Sequence, residues 1–195
     1  LQMEITEVRI GSDLRPAVRF TLEDGQGNPL ALSDLDGSPR FGLAWIQVDP
    51  QTGLSRRQSY VVRTVTGASY SWNGAPTPSE LASATQAGTD SGGTMETLGR
   101  GSFRYIFAMA VPAGYDRGAT HTAAAYATRG GRTVVSNPVL EFVPSGGPVT
   151  VRREIVRTET CNECHATLSA HGGSRREVGL CVVCHTDQSV DPETG

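Results

Sequence analysis

Apolar and polar residues alternate in short runs through the first three quarters of the chain. "MEITEVRI" carries Ile5, Val8 and Ile10 in this way, and "AVRFTLED", "FGLAWIQVD", "RQSYVVRTV", "GSFRYIFAMAV", "HTAAAYAT" and "NPVLEFVP" follow the same habit. A period of two sends successive side chains to opposite faces, so each run predicts a half-buried β-strand. Between the runs lie turn formers: "EDGQGNP" at 23–29, "DGSP" at 36–39, "DPQTG" at 49–53, "PAGYD" at 112–116 and "RGG" at 129–131. Seven or so short strands punctuated like this predict a mainly β fold, an antiparallel immunoglobulin-like sandwich or Greek-key barrel. Residues 73–99 break the alternation with small and polar residues. They read as a long surface loop between two strands, with one helical turn after Pro78 and Ser79.

The pattern changes again at "VPSGGPVTVRRE", where Pro144, Gly146, Gly147 and Pro148 interrupt it. The division that follows is a β domain over 1–145, a linker over 146–154 and a C-terminal segment over 155–195 with little regular structure. Some forty residues cannot bury a core of their own, so a metal or cofactor is expected to organise this segment.

Composition narrows the function. A net charge of −3 carries neither the basic footprint of a nucleic-acid binder nor an acidic tail. No apolar run approaches the ~20 residues needed to span a bilayer. The opening "LQMEIT" holds neither a signal peptide nor a lipoprotein cysteine, so sequence offers no support for a membrane anchor. All seventeen basic residues are arginine, which genome composition explains more simply than selection for bidentate anion binding.

The chemistry is concentrated in "CNECHATLSAHGGSRREVGLCVVCH", residues 161–185, which holds all four cysteines and three of the four histidines. Cys161, Cys164, Cys181 and Cys184 form C-x2-C-x16-C-x2-C, a spacing that fits a four-cysteine zinc ribbon. The residue after each pair points elsewhere. His165 follows Cys164 and His185 follows Cys184, giving C-x-x-C-H twice. Covalent haem c attachment requires this arrangement, with two cysteines for the thioethers and the adjacent histidine for the iron. Two haem c groups are therefore expected, with His165 and His185 as proximal ligands.

Distal ligands are scarcer. His171 lies between the two motifs, followed by Gly172 and Gly173 that let backbone approach a ring, and is the first candidate. His121 opens a strand, where a hydrogen-bonded core histidine is the plainer reading; it is the second candidate. Met3, Met95 and Met109 are nominal alternatives, Met109 reading as core. Arg175 and Arg176 are candidates for propionate contacts, since arginine holds carboxylates bidentately, although a solvated loop pair is nearly as good a reading.

The run "CNECHATLSAHGGSRREVGLCVVCH", with "VPAGYDRGATHTAAAYATRGG" upstream and "TDQSVDPETG" downstream, resembles the OmcA/MtrC family of multihaem outer-membrane cytochromes. The resemblance implies a β domain ahead of a multihaem domain, bis-histidine haems and display outside the cell. It implies electron transfer to other multihaem cytochromes, copies of itself, metal oxides or flavins. It also implies that distal histidines come from sequence downstream of these motifs. Family members carry many more haem sites than two, which marks a departure. Electron transfer without substrate turnover is thus the expected function, in an extracytoplasmic setting, cell-surface or periplasmic. A dihaem reductase or peroxidase with one open distal position is the rival, and a zinc-ribbon interaction module the third reading.

Overall fold

A computed structural model of the chain describes residues 1–194. Among these the elements run β1 Gln2–Ile10, β2 Pro16–Glu23, β3 Arg40–Val48, β4 Ser55–Ser59, β5 Val62–Thr66, β6 Tyr70–Trp72, β7 Ala75–Thr77, β8 Ser83–Ala87, β9 Thr94–Gly99, β10 Ser102–Ile106, β11 His121–Arg129, β12 Val134–Ser136, β13 Val139–Phe142, α1 Thr158–His165 and α2 Val178–Cys184.

Two antiparallel sheets make the body of the fold. One has the order β1-β2-β10-β9; the other runs β12-β11-β3-β4, with β13 also paired to β11. β12 meets β11 at Ala127–Arg129 and β13 meets it at His121–Ala124, so the two short strands lie end to end along one edge. The sheets share a core of Met3, Ile5, Val18, Phe20 and Phe103 from the first and Phe41, Leu43, Ala123, Ala125 and Ala127 from the second. Phe20 lies 5.2 Å from Phe41 and 5.4 Å from Phe103, and Phe41 stacks on Tyr105 at 4.6 Å. Such aromatic contacts add to the 1.5–3 kcal/mol or so that each buried large side chain contributes by leaving water.

β2 shows the expected alternation, Pro16, Val18, Phe20 and Leu22 inward. β3 and β11 do not: Phe41–Ala44 and His121–Ala125 are buried without a break. Uninterrupted burial means both faces of the strand are covered. The inner face meets the other sheet. The outer face meets α2, whose Leu180 and Val183 pack on Ala44 and Ala124 in a second cluster, with Tyr126 beside them.

This second cluster corrects the expectation that only a cofactor could hold the C-terminal segment. Leu180 is 2% exposed and Val183 fully buried, so the β domain supplies the apolar surface that forty residues lack. Polar ties continue along the tail. The Gln188 side chain accepts from Ser59 N (2.6 Å), Ser189 Oγ accepts from Ala87 N (3.0 Å), and Val190 N donates to Thr85 O (2.9 Å).

Residues 73–99 are not a loop. β6 and β7 form a hairpin over Asn73-Gly74, β8 pairs with β5 in a two-stranded ribbon, and β9 pairs with β10. "TPSELASAT" has no helical turn; its second half is β8.

Candidate haem-attachment segment

α1 carries Cys161, Cys164 and His165. Residues three apart on a helix share a face, so the two thiols project together and the imidazole closes the last turn. The helix stops because Ala166 takes φ 54°, a left-handed conformation that reverses the chain. Cys164 and His165 are exposed, and Thr158 is the buried residue of this helix. Thr158 fixes α1 to the second motif: its Oγ1 donates to Glu177 Oε1 (2.8 Å) and accepts from Val178 N (2.9 Å).

α2 begins with Glu177 as its cap, accepting from Gly179 N at 3.2 Å. Leu180 and Val183 bind the sheet, and Cys181 and Cys184, again three apart, remain half-buried on another face. His185 follows, its N–H donating to Cys181 O at 2.8 Å; Ser189 Oγ donates to Cys184 O at 2.9 Å. Burial pushes both thiols of this pair up from the ordinary cysteine value, with Glu177 adding to the effect at Cys181 and Arg175 opposing it at both. No disulfide joins any two of the four cysteines. Among the described residues no three His, Cys, Asp or Glu side chains gather as a metal-ion site.

His171 sits on the turn between the helices with φ 50°, and Gly172 and Gly173 continue the left-handed path at 66° and 88°. A side chain on Gly172 would also meet Arg132 Nη1 at 2.5 Å. This turn brings the His171 ring to 6.1 Å from the His185 ring, centroid to centroid, with 42° between their planes. Both rings line a cavity of about 840 Å³ that also takes in Cys181 and Cys184. The β domain closes its other side with Arg40, Tyr60, Arg63 and Tyr126. These residues are scattered through the first 126 positions, and no local motif in the sequence picks them out.

His121 is elsewhere. It is fully buried, on the inner face of β11 with Ala123 and Ala125. Its Nδ1 lies 2.9 Å from Ala119 O, which can only accept, so Nδ1 carries the proton and Nε2 accepts from the Tyr60 hydroxyl at 2.8 Å. Tyr60, Tyr115 and Phe142 surround the ring. With both nitrogens engaged, His121 is the hydrogen-bonded core histidine rather than an axial ligand. Burial lowers its pKa from the usual 6.5 and raises that of Tyr60.

The two arginines differ in role. Arg175 lies over the Tyr126 ring, its guanidinium carbon 3.4 Å from the centroid, and lines the cavity. Arg176 donates to Gly173 O (3.0 Å) and Arg132 O (3.2 Å), clamping the turn that carries His171. Met3 belongs to the sandwich core, and Met95 and Met109 pack against it.

Comparison with known proteins agrees with this layout. Residues 153–195 match the family model "Outer membrane cytochrome MtrC/MtrF-like, domains II/IV". A 54-residue stretch, 26% of this chain and 8% of the relative, is 43% identical to the "Multiheme cytochrome MtrC" of Shewanella baltica (strain OS185). In overall fold the chain is similar to the outer membrane decaheme cytochrome OmcA, with a TM-score of 0.78 and 22% identity over 99% of this chain and 30% of that one. It is also similar to MtrC from Shewanella baltica OS185, with a TM-score of 0.68 and 22% identity over 97% of this chain and 30% of that one. The chain thus spans less than a third of the length of the relatives it matches. The β sandwich has the fold of OmcA and MtrC, and the segment with the two C-x-x-C-H motifs is similar to domains II/IV of the MtrC/MtrF-like outer membrane cytochromes.

Proposed function

We propose that the chain is an electron-transfer module carrying two haem c groups, one on Cys161 and Cys164 with His165, the other on Cys181 and Cys184 with His185. The observation that carries the reading is the His171–His185 pair. Imidazoles on opposite sides of one metal, with bonds of ~2 Å, have ring centroids about 6 Å apart, and these rings are separated by 6.1 Å beside a cysteine pair. The donor set suits the group: two thiols sharing a helix face, a histidine directly after them and a second histidine opposite. His171 is thus assigned to the second motif.

Bound haem supplies a one-electron couple, and histidine on both axial positions favours a lower potential than methionine ligation would. The residues of the chain hold and orient that couple. α2 is fixed on the sheet by Leu180 and Val183, His185 is fixed by its bond to Cys181 O, and His171 by the Arg176 clamp. An extracytoplasmic location at the cell surface accords with the family and with where haem c is installed. Other multihaem cytochromes, copies of this chain, flavins and metal oxides are the proposed exchange partners.

One observation favours a second reading for the first motif. His171 faces His185 and His121 is engaged in the core, so among the described residues no imidazole is left to oppose His165. A haem held at the first motif would then take its second ligand from another segment or chain, or would leave a position open for substrate as in a reductase or peroxidase. Intact mass and reduced spectra with and without carbon monoxide test both points. Two covalent haems, at least one unmoved by carbon monoxide, are expected. A protein that takes up no haem overturns the proposal.

A further inference from the structure

The cavity beside α2 differs in electrostatics from its neighbour. A second cavity of about 800 Å³, on the other side of α2, is lined by arginines that are mostly paired: Arg56 with Asp187, Arg57 and Arg152 with Glu141, and Arg157 with Glu154. The cavity holding Cys181, Cys184, His171 and His185 has three arginines, Arg40, Arg63 and Arg175. Among the described residues none of these three is in an ion pair.

Its two carboxylates do not neutralise them. Asp90 is 4% exposed and turned into the β domain, where Oδ2 accepts from Tyr105 Oη (2.7 Å) and Ala108 N (2.8 Å). Asp191 accepts from Glu193 N (3.0 Å) and Thr194 Oγ1 (3.1 Å) in its own turn. Arg175 is held in place by the Tyr126 ring and by Ser174 Oγ. A pocket that combines a thiol pair with unpaired guanidinium groups suits a thioether-tethered dianion.

We propose that Arg63 on β5, together with Arg175 and assisted by Arg40, receives the two carboxylate side chains of the tetrapyrrole attached at Cys181 and Cys184. The proposal rests on the haem reading above and deepens it. It makes the β domain half of the second haem site, since Arg40 and Arg63 belong to strands of that domain. It also gives those strands a share in setting the potential, because positive charge near the ring favours the reduced, more negative form.

The test uses the holoprotein and its Arg63→Gln, Arg175→Gln, Arg63→Lys and Arg100→Gln variants. Mass spectrometry first counts covalent haems, and spectroelectrochemical titration then follows each haem from pH 5 to 9. Arg63→Gln and Arg175→Gln are expected to retain both haems. At the parent's half-reduction point, their ratio of reduced to oxidised second haem falls about tenfold, and the pH-dependent part of its titration moves to higher pH. Arg63→Lys restores most of the ratio, and Arg100→Gln matches the parent. If Arg63→Gln and Arg175→Gln keep their haems and titrate like Arg100→Gln, the arginine assignment is overturned. A parent chain without covalent haem overturns the underlying haem reading instead.

Discussion

Val183 occupies the space that Gly42 leaves open: a side chain at Gly42 would come within 2.9 Å of Val183 Cγ1. Gly42 lies on the outer face of β3, next to Ala44, and opposite Ala124 of β11. These three small residues form the shallow seat into which Leu180 and Val183 fit. The haem-motif helix is therefore positioned by what the sheet lacks as much as by what it presents.

Gly42→Val should displace α2 and cost about 1–3 kcal/mol by overpacking. Chemical denaturation of the parent and the variant measures the difference. The smaller change Leu180→Ala should cost about 2–4 kcal/mol through lost burial and a residual void, with the sandwich core still folded by near-ultraviolet circular dichroism.

His171→Ala tests the pairing with His185. The variant should keep both covalent haems, and the fraction of haem whose reduced spectrum responds to carbon monoxide should rise by one haem per chain. Added imidazole should reverse the response. An unchanged carbon monoxide fraction would remove His171 from the iron.

His121 gives stability a pH dependence of known sign. Its folded pKa lies below the unfolded value of about 6.5 because burial disfavours the imidazolium. Below pH 6.5 the unfolded chain therefore binds more protons than the folded one. Its contribution is fully present above that pH and is lost as pH falls towards the lowered value. Denaturation midpoints from pH 8 to 5 should show the loss, and His121→Gln should flatten it.

Asp90 lies 4% exposed beneath the Tyr105 hydroxyl. Asp90→Ala leaves that hydroxyl and the Ala108 amide without their acceptor, at a cost of about 2–4 kcal/mol by analogy with other buried groups deprived of partners. Adding Tyr105→Phe should recover part of the loss, and a double-mutant cycle measures the coupling.

What the sequence made legible is what is local. Alternation in β2 and β10 comes from one buried and one open face, and the two C-x-x-C-H motifs are short and self-contained. The reading failed where distant partners decide. Ser83–Ala87 is polar on both faces and becomes β8 only by pairing with β5 seventeen to twenty-five residues earlier, which leaves no periodic trace. "RQSYVVRTV" reads as one strand, yet the chain leaves the sheet at Tyr60, whose hydroxyl meets His121. The alanines of "HTAAAYAT" read as ordinary strand residues, and their small size makes sense once α2 is seen against Ala124. His171 ranks ahead of His121 on its place between the motifs and the glycines that follow it; the structure adds the buried face of a strand that takes His121 inward and the three left-handed residues that carry His171 to His185.

The seat at Gly42 has a consequence for the proposed redox centre. Val183 and Leu180 hold the second motif from beneath, and Ser189 and Gln188 tie its exit to β8 and β4. Were the proposed haem held there, its seat would be fixed to several strands of the β domain, and a change of charge would then call for little movement of the protein around it.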